Sequence, residues 1–269
     1  MEIFIYLRHS LPEHFWHFMM GEFMPVVAII AETKATKVYL YNKYRKWNSP
    51  FDRFYLELGV EIVYTNTLEE DIKKYRYIAW DFKWANKGVK KCERAINYLK
   101  TLIAKKNYPA PIPRPNYDKE VLVVYRKNDK ELEKYFKRNF GGIKSRYGTK
   151  RRRYKDMEKL DELIPNVNYV STDQLPILEQ INCFLNYKNI LLEHGAAMFF
   201  VLFMRDNSNV IELINPFKAK AKSKADQSLK RICEHKKNRL ERIIIENKKS
   251  VLSHKEEIIE ISQSLFSQN

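Results

Sequence analysis

Three groups of side chains in this sequence have the types and spacing to handle an anionic, phosphate-bearing ligand. The first is "NILLEHGAAMFF", Asn189 to Phe200, an apolar run that stops at Glu193 and His194, crosses Gly195, Ala196 and Ala197, and turns apolar again. A strand followed by a helix would put His194 at a carboxyl end and the small residues in a first helical turn. The backbone N–H groups there have no intrahelical partners. That turn carries roughly half a positive elementary charge, and small side chains let a diphosphate approach it. The same residues would equally serve tight helix–sheet packing, with His194 a hydrogen-bonded boundary residue. The second group is arginine: Arg126 directly after "EVLVVY", and Arg151, Arg152 and Arg153 in "GTKRRRYKD". Guanidinium forks grip phosphate oxygens and stay charged at any relevant pH. Alone, the arginine run could be a solvated basic loop, but a strand end is a poor place for an idle charge. The third is Glu212 in "NVIELI", placed to hold a ribose hydroxyl or to serve as a structural carboxylate.

A general base could come from the first 108 residues. In "HSLPEHFWHFMMGEFMP", His14, His17 and Glu22 fall on one predicted helix, with His17 and Gly21 sharing a face. A histidine near a carboxylate suits proton abstraction. The spacing is not the HExxH pattern of a zinc site, and a buried amphipathic helix with hydrogen-bonded histidines fits the same residues. Asp81, in "IAWDFKW", is a rival base at another strand end.

These residues need elements to position them. "EIFIYL", "KVYLY", "VEIVYT" and "YIAWDF" read as short β-branched and aromatic strands, alternating with helical stretches at His14–Ile30 and Gly88–Lys105. In the latter, Val89, Cys92, Ala95, Ile96, Leu99, Leu102 and Ile103 share one face. The alternation predicts an α/β fold with parallel sheets. Four prolines in seven residues of "YPAPIPRP" forbid helix and central strand, and read as an interdomain linker, the alternative being a long surface loop inside one domain. The alternation then restarts: "EVLVVYR", a helix over Asp156–Ile164 with Asp156 as N-cap, "NVNYVS", "LPILEQINCFLNY", "KNILLEH", "GAAMFFVLF" and "NVIELI". The expected domains are a Rossmann-like unit over 1–108, a Pro-rich linker over 109–119, a second Rossmann-like unit over 120–218, and a basic helical tail over 219–269 packed across them.

Of the 269 residues, 49 are Lys or Arg against 33 Asp or Glu, and the net charge of +16 implies an anionic partner (nucleic acid, an anionic membrane or a phosphorylated ligand) or reflects no more than the lysine and asparagine richness of an AT-rich genome. The three widely spaced cysteines suggest neither a disulfide framework nor a zinc site. Neither a secretory leader nor a bilayer-length apolar run is evident. The expectation is a soluble, cytoplasmic protein from a microbial or viral setting, a virus-infected host cell included.

The ordered set of Arg126, Arg151–Arg153, Glu179-Gln180, His194-Gly195-Ala196, Leu202-Phe203, and Glu212 with Pro216 resembles glycosyltransferase family 61, as does "HFWHFMMGEFMP" with His17 on the family's histidine. The family's acidic position falls near Gly21, beside Glu22, and Glu193 stands where an uncharged residue is usual. The resemblance implies a GT-B fold with two Rossmann-like domains facing a cleft. It also implies an inverting, metal-independent reaction with no cofactor beyond a UDP-sugar donor, the first unit taking the acceptor. UDP-xylose and UDP-N-acetylglucosamine lead as donors, and a glycan or glycoprotein hydroxyl as acceptor. The lack of an Asp-x-Asp triplet agrees with metal independence. Arg126, Arg151–Arg153, His194, Gly195, Ala196 and Ala197 would then hold the diphosphate, with Glu212 near the ribose. His17 would be the base ahead of Asp81 and Glu22. Nucleic acid is not an expected partner, although a basic nucleic-acid-binding protein is the rival class. A catalytically inactive transferase-like scaffold is another alternative. The basic tail offers a docking face to an anionic membrane, or simply a solvated helix.

Overall fold

The computed structural model describes residues 1–7, 15–42, 51–65, 75–78, 88–106, 120–125, 154–171, 175–220, 228–246 and 249–266. The chain divides into two compact units, Met1–Asn107 with Pro176–Leu178, and Tyr108–Leu175 with Glu179–Asn269. Each holds a parallel sheet.

The first unit contains β1 (Glu2–Leu7), β2 (Lys37–Asn42), β3 (Glu61–Thr65) and β4 (Tyr75–Ile78) in the order β3-β2-β1-β4. All three pairings are parallel. Alternation along β1 and β2 buries Ile5, Leu7, Val38 and Leu40 on one face. On the other face, Phe4 stacks on Tyr39 and Tyr6 on Tyr41, ring over ring across directly paired positions. Between β1 and β2 the chain forms α1 (Phe15–Phe18), a π-helical turn at Met19–Phe23, and α2 (Met24–Thr33). Lys34 ends α2 in the left-handed conformation, at φ 54°. The helix α3 (Arg53–Glu57) supplies Phe54 and Tyr55 to a cluster with Phe15, Phe18, Phe23 and Phe51. The predicted helix at Gly88–Lys105 is present as α4, with Cys92, Ala95, Ile96, Leu99 and Ile103 buried.

The second unit has five parallel strands: β5 (Val121–Val124), β6 (Val167–Val170), β7 (Asn189–Glu193), β8 (Asn209–Ile214) and β9 (Arg239–Ile244), in the order β6-β5-β7-β8-β9. Counted within the unit this is 2-1-3-4-5, a doubly wound order whose direction reverses between β5 and β7. Its helices are α5 (Ile177–Asn186), α6 (Pro216–Lys220), α7 (Ser228–Lys236) and α8 (Lys255–Phe266). One sheet face, carrying Val121, Val123, Leu191, Ile211, Leu213 and Ile243, packs with Met157, Leu160, Val251, Ile258 and Leu265 into a continuous core.

Three sequence expectations change. Met157–Glu162 is a 3₁₀ helix, and Asp156 precedes it at φ 60° without a side-chain capping bond. The stretch after His194 is likewise 3₁₀, Ala196–Phe203. Residues 239–244, read as part of a helical tail, are the edge strand β9, paired to β8 along its whole length. Leu240 and Ile243 have the three-residue spacing of a helix, but the run Ile243-Ile244-Ile245 is β-branched and favours the pleated sheet. The segment expected to pack across two domains therefore completes the second sheet, and α8 lines that sheet's core. The Pro-rich segment at 109–119 lies outside the described residues.

Candidate functional site

In a doubly wound sheet the place for a ligand is beyond the carboxyl ends of the strands, at the point where the order reverses. In the second unit that point is flanked by β5 and β7. His194 is the first residue past β7, and its backbone N–H donates to the Leu213 carbonyl at 2.8 Å. The histidine is therefore fixed to the sheet by one last ladder bond, although the strand proper ends at Glu193.

Its side chain is fixed as firmly. His194 Nδ1 lies 2.6 Å from Glu212 Oε1, and Arg242 Nε donates to Glu212 Oε2 at 2.7 Å. Glu212 is fully buried and His194 is 6% exposed. The strand register explains the convergence. Glu212 sits directly opposite Arg242 on β9, and opposite Leu192 on β7, two residues before His194. All four side chains therefore share one face of the pleat. A carboxylate can only accept, so the ring carries a proton on Nδ1 toward Glu212 and directs Nε2 away from it. Nε2 accepts when the ring is neutral and donates when it is protonated. A charged group buried as deeply as Glu212 persists only with compensating partners, and this one has a donor on each oxygen. The α7 helix adds Cys233 close by: burial pushes its thiol up to about 12, with Glu212 raising it further and Arg242 opposing.

Glu193 is the adjacent acid, and alternation sends it to the opposite face. Its Oε1 accepts from the Tyr154 backbone N–H at 3.3 Å, and the residue is 4% exposed among the core side chains of that face. After His194, Gly195 is buried and extended, and the 3₁₀ helix begins at Ala196 with no side-chain cap. Met198 N–H donates to the Gly195 carbonyl at 3.2 Å. Ala197 is half-buried. Downstream, Phe199, Phe200, Leu202 and Phe203 are buried and anchor the turn. Gln180 of α5 donates to the Leu175 carbonyl at 2.7 Å, which ties down the chain entering that helix.

The structure thus brings His194 and Glu212 together, with Gly195, Ala196 and Ala197 next in the chain. Arg126, Arg151, Arg152, Arg153 and Asp81 lie outside the described residues. The described chain stops one residue short of Arg126, at Tyr125, whose N–H donates to the Val170 carbonyl at 3.1 Å. In the first unit, His17 belongs to α1, but its side chain is outside the described set. Glu22 lies in the π-helical turn, where the extra residue per turn shifts the helical phase. It is fully buried, with the Tyr55 hydroxyl 3.5 Å from Oε1.

Arg242 has no counterpart in the sequence reading. Assigning 239–244 to a helical tail removed it from the sheet; the β-branched run after it was the signal that could have restored it. Among the described residues there is no group of three or more His, Cys, Asp or Glu side chains placed to hold a metal ion, and no helix long and apolar enough to cross a membrane. The cysteines Cys92, Cys183 and Cys233 are free and buried.

Two parallel α/β sheets, one presenting a carboxylate-held imidazole at the carboxyl end of a switch-point strand, are compatible with the Rossmann-like folds of glycosyltransferases. The sequence model of the family Glycosyltransferase 61 matches residues 15–211, well over half of the chain. The chain belongs to glycosyltransferase family 61 and is a glycosyltransferase, which binds a sugar donor and an acceptor. No curated protein matches it.

Proposed function

We propose that this glycosyltransferase transfers a sugar from a UDP-sugar, with inversion and without a metal ion, to a hydroxyl of a glycan or glycoprotein. Xylose and N-acetylglucosamine are the leading sugars. The observation that carries the reading is the position of His194: past the last ladder bond of β7, beside the switch point, with its ring held through Nδ1 by Glu212. A ring so held presents Nε2 to a ligand and, when protonated, donates there to a phosphate oxygen. Gly195 and the opening amides of Ala196 and Ala197 extend the same turn, and the small side chains leave room for a diphosphate. Arg126 and one or more of Arg151–Arg153 supply guanidinium groups to the leaving diphosphate. Cationic and amide donors then do the work a divalent ion would do, in keeping with the missing Asp-x-Asp triplet. The two parallel-sheet units are the two domains of a GT-B enzyme in this reading.

The fully buried Glu212 orients His194 rather than touching a ribose. The acceptor hydroxyl loses its proton to a base on the first unit and attacks the anomeric carbon, while the UDP oxygen leaves from the opposite face. His17 is the first choice for that base and Asp81 the second. Glu22 ranks last, because a carboxylate with no exposed surface does not reach a substrate hydroxyl.

A thermal-shift panel of nucleotide sugars, with and without EDTA, tests the donor assignment. UDP and a UDP-sugar should raise the melting temperature equally in both conditions. A shift lost on adding EDTA would remove the metal-independent mechanism, and no shift with any uridine nucleotide would remove the donor class. His17→Ala should abolish transfer while leaving UDP affinity unchanged; normal turnover in that variant would pass the role of base to Asp81.

A further inference from the structure

Arg242 stands thirty-one residues beyond the end of the family match, on the edge strand β9. Two contacts and one strand pairing place it along one sheet face. Arg242 Nε donates to Glu212 Oε2 at 2.7 Å, Glu212 Oε1 meets His194 Nδ1 at 2.6 Å, and the register sets Arg242 directly across from Glu212. The Glu212 side chain is fully enclosed, while that of Arg242 keeps 28% of its surface. A carboxylate with one oxygen on a guanidinium and the other on an imidazole cannot rotate without breaking a charge-assisted bond. We propose that Arg242 is a positioning residue of the donor site: it locks the Glu212 carboxylate so that His194 keeps its proton on Nδ1 and aims Nε2 at the ligand.

The inference rests on the donor-site reading above, and adds a residue that acts through two others rather than on the ligand. Two features favour positioning over general stabilisation. The guanidinium engages Glu212 through Nε, the atom nearest the backbone and the one with least freedom to swing away. Its partner's other oxygen goes to His194 and not to a further structural group. Cys233 on α7 lies near enough to feel both charges, in opposite senses, and the Glu212 side chain is fully enclosed, where a lost partner is felt strongly.

The test compares Arg242→Gln, Arg242→Lys and His194→Ala by UDP calorimetry, together with nitrogen NMR of the labelled His194 ring. In the native protein the ring should show a single Nδ1-protonated form. Arg242→Gln should give a mixture of ring forms and bind UDP roughly tenfold more weakly, the scale of one charge-assisted contact. Arg242→Lys, which returns a cationic donor beside Glu212, should restore the single ring form and most of the affinity. An unchanged ring spectrum with unchanged affinity in Arg242→Gln overturns the proposal. So does an Arg242→Lys variant that keeps the native ring spectrum yet loses as much affinity as His194→Ala, since the guanidinium would then touch the ligand itself. Should Arg242→Gln not fold, Arg242→Met, which also removes the cationic donor, takes its place in these comparisons. If His194→Ala binds UDP as tightly as the native protein, the donor-site reading falls and takes this inference with it. A weakened His194→Ala beside a native-like Arg242→Gln removes Arg242 alone.

Discussion

The strand pair β7–β8 buries a polar pair at each of its ends, and the two are built differently. At the amino end, Asn189 and Asn209 face each other in register, with Asn209 Nδ2 donating to Asn189 Oδ1 at 2.8 Å and to the Leu265 carbonyl of α8 at 3.0 Å. Both partners are neutral, and the bonds run inward to the helix that closes the core. At the carboxyl end, His194 and Glu212 form a pair in which the carboxylate, the ring and the Arg242 guanidinium all carry or exchange charge. One end is a clasp. The other costs desolvation of an ion and returns an imidazole pinned through Nδ1. In the donor-site reading proposed above, a ring held at that cost belongs at the carboxyl edge of the parallel sheet, where the ligand would bind.

Substitutions at the two ends should separate these purposes. The largest effect belongs to Glu212→Ala, which strands Arg242 and releases His194; we expect a loss of about 3 kcal/mol in folding stability by denaturant titration, together with weakened UDP binding. A variant that keeps native stability would show that the pair is not a buried ion network. Asn209→Ala withdraws a donor from Asn189 Oδ1 and from the Leu265 carbonyl, and should cost about 2 kcal/mol. UDP affinity, measured on the folded protein, should stay at the native value; a matching drop would mean that the amino end also shapes the site. The smallest effect concerns the thiols. Burial pushes Cys183 and Cys233 up to about 12, and Cys92 higher still. The thiolate is the reactive form, so labelling at neutral pH should be slow in the native protein and reach all three cysteines on unfolding. Rapid native labelling of Cys233 would mean that α7 opens away from the Glu212–Arg242 pair.

Much of the second sheet could be read from local chemistry. "VLVV", "VNYV", "NILLE" and "NVIELI" are compact apolar or β-branched runs, and each is a strand. The placing of His194 at the end of one of them follows from that run alone. The fifth strand was hidden because Arg239, Glu241 and Arg242 interrupt its apolar positions. Edge strands tolerate charge that central strands do not. With β9 went Arg242, since a cross-strand partner is visible only once both strands are known. The 3₁₀ geometry of Met157–Glu162 and Ala196–Phe203 was also out of reach, because such short stretches carry no signal separating three residues per turn from 3.6. The fate of Glu193 could have been inferred: whichever face takes His194, alternation gives Glu193 the other.

The lateness of β9 in the chain has a consequence in time. Glu212 and Arg242 are 30 residues apart, so at ordinary rates of synthesis the arginine follows the glutamate by roughly 2–6 s. During that interval the nascent polypeptide has β7 and β8 but no cation for the acid between them. A stall or pause in that window would leave β8 as an open sheet edge and Glu212 with His194 as its partner but without Arg242. The Glu212–Arg242 contact can close only once β9 has been made and has paired with β8.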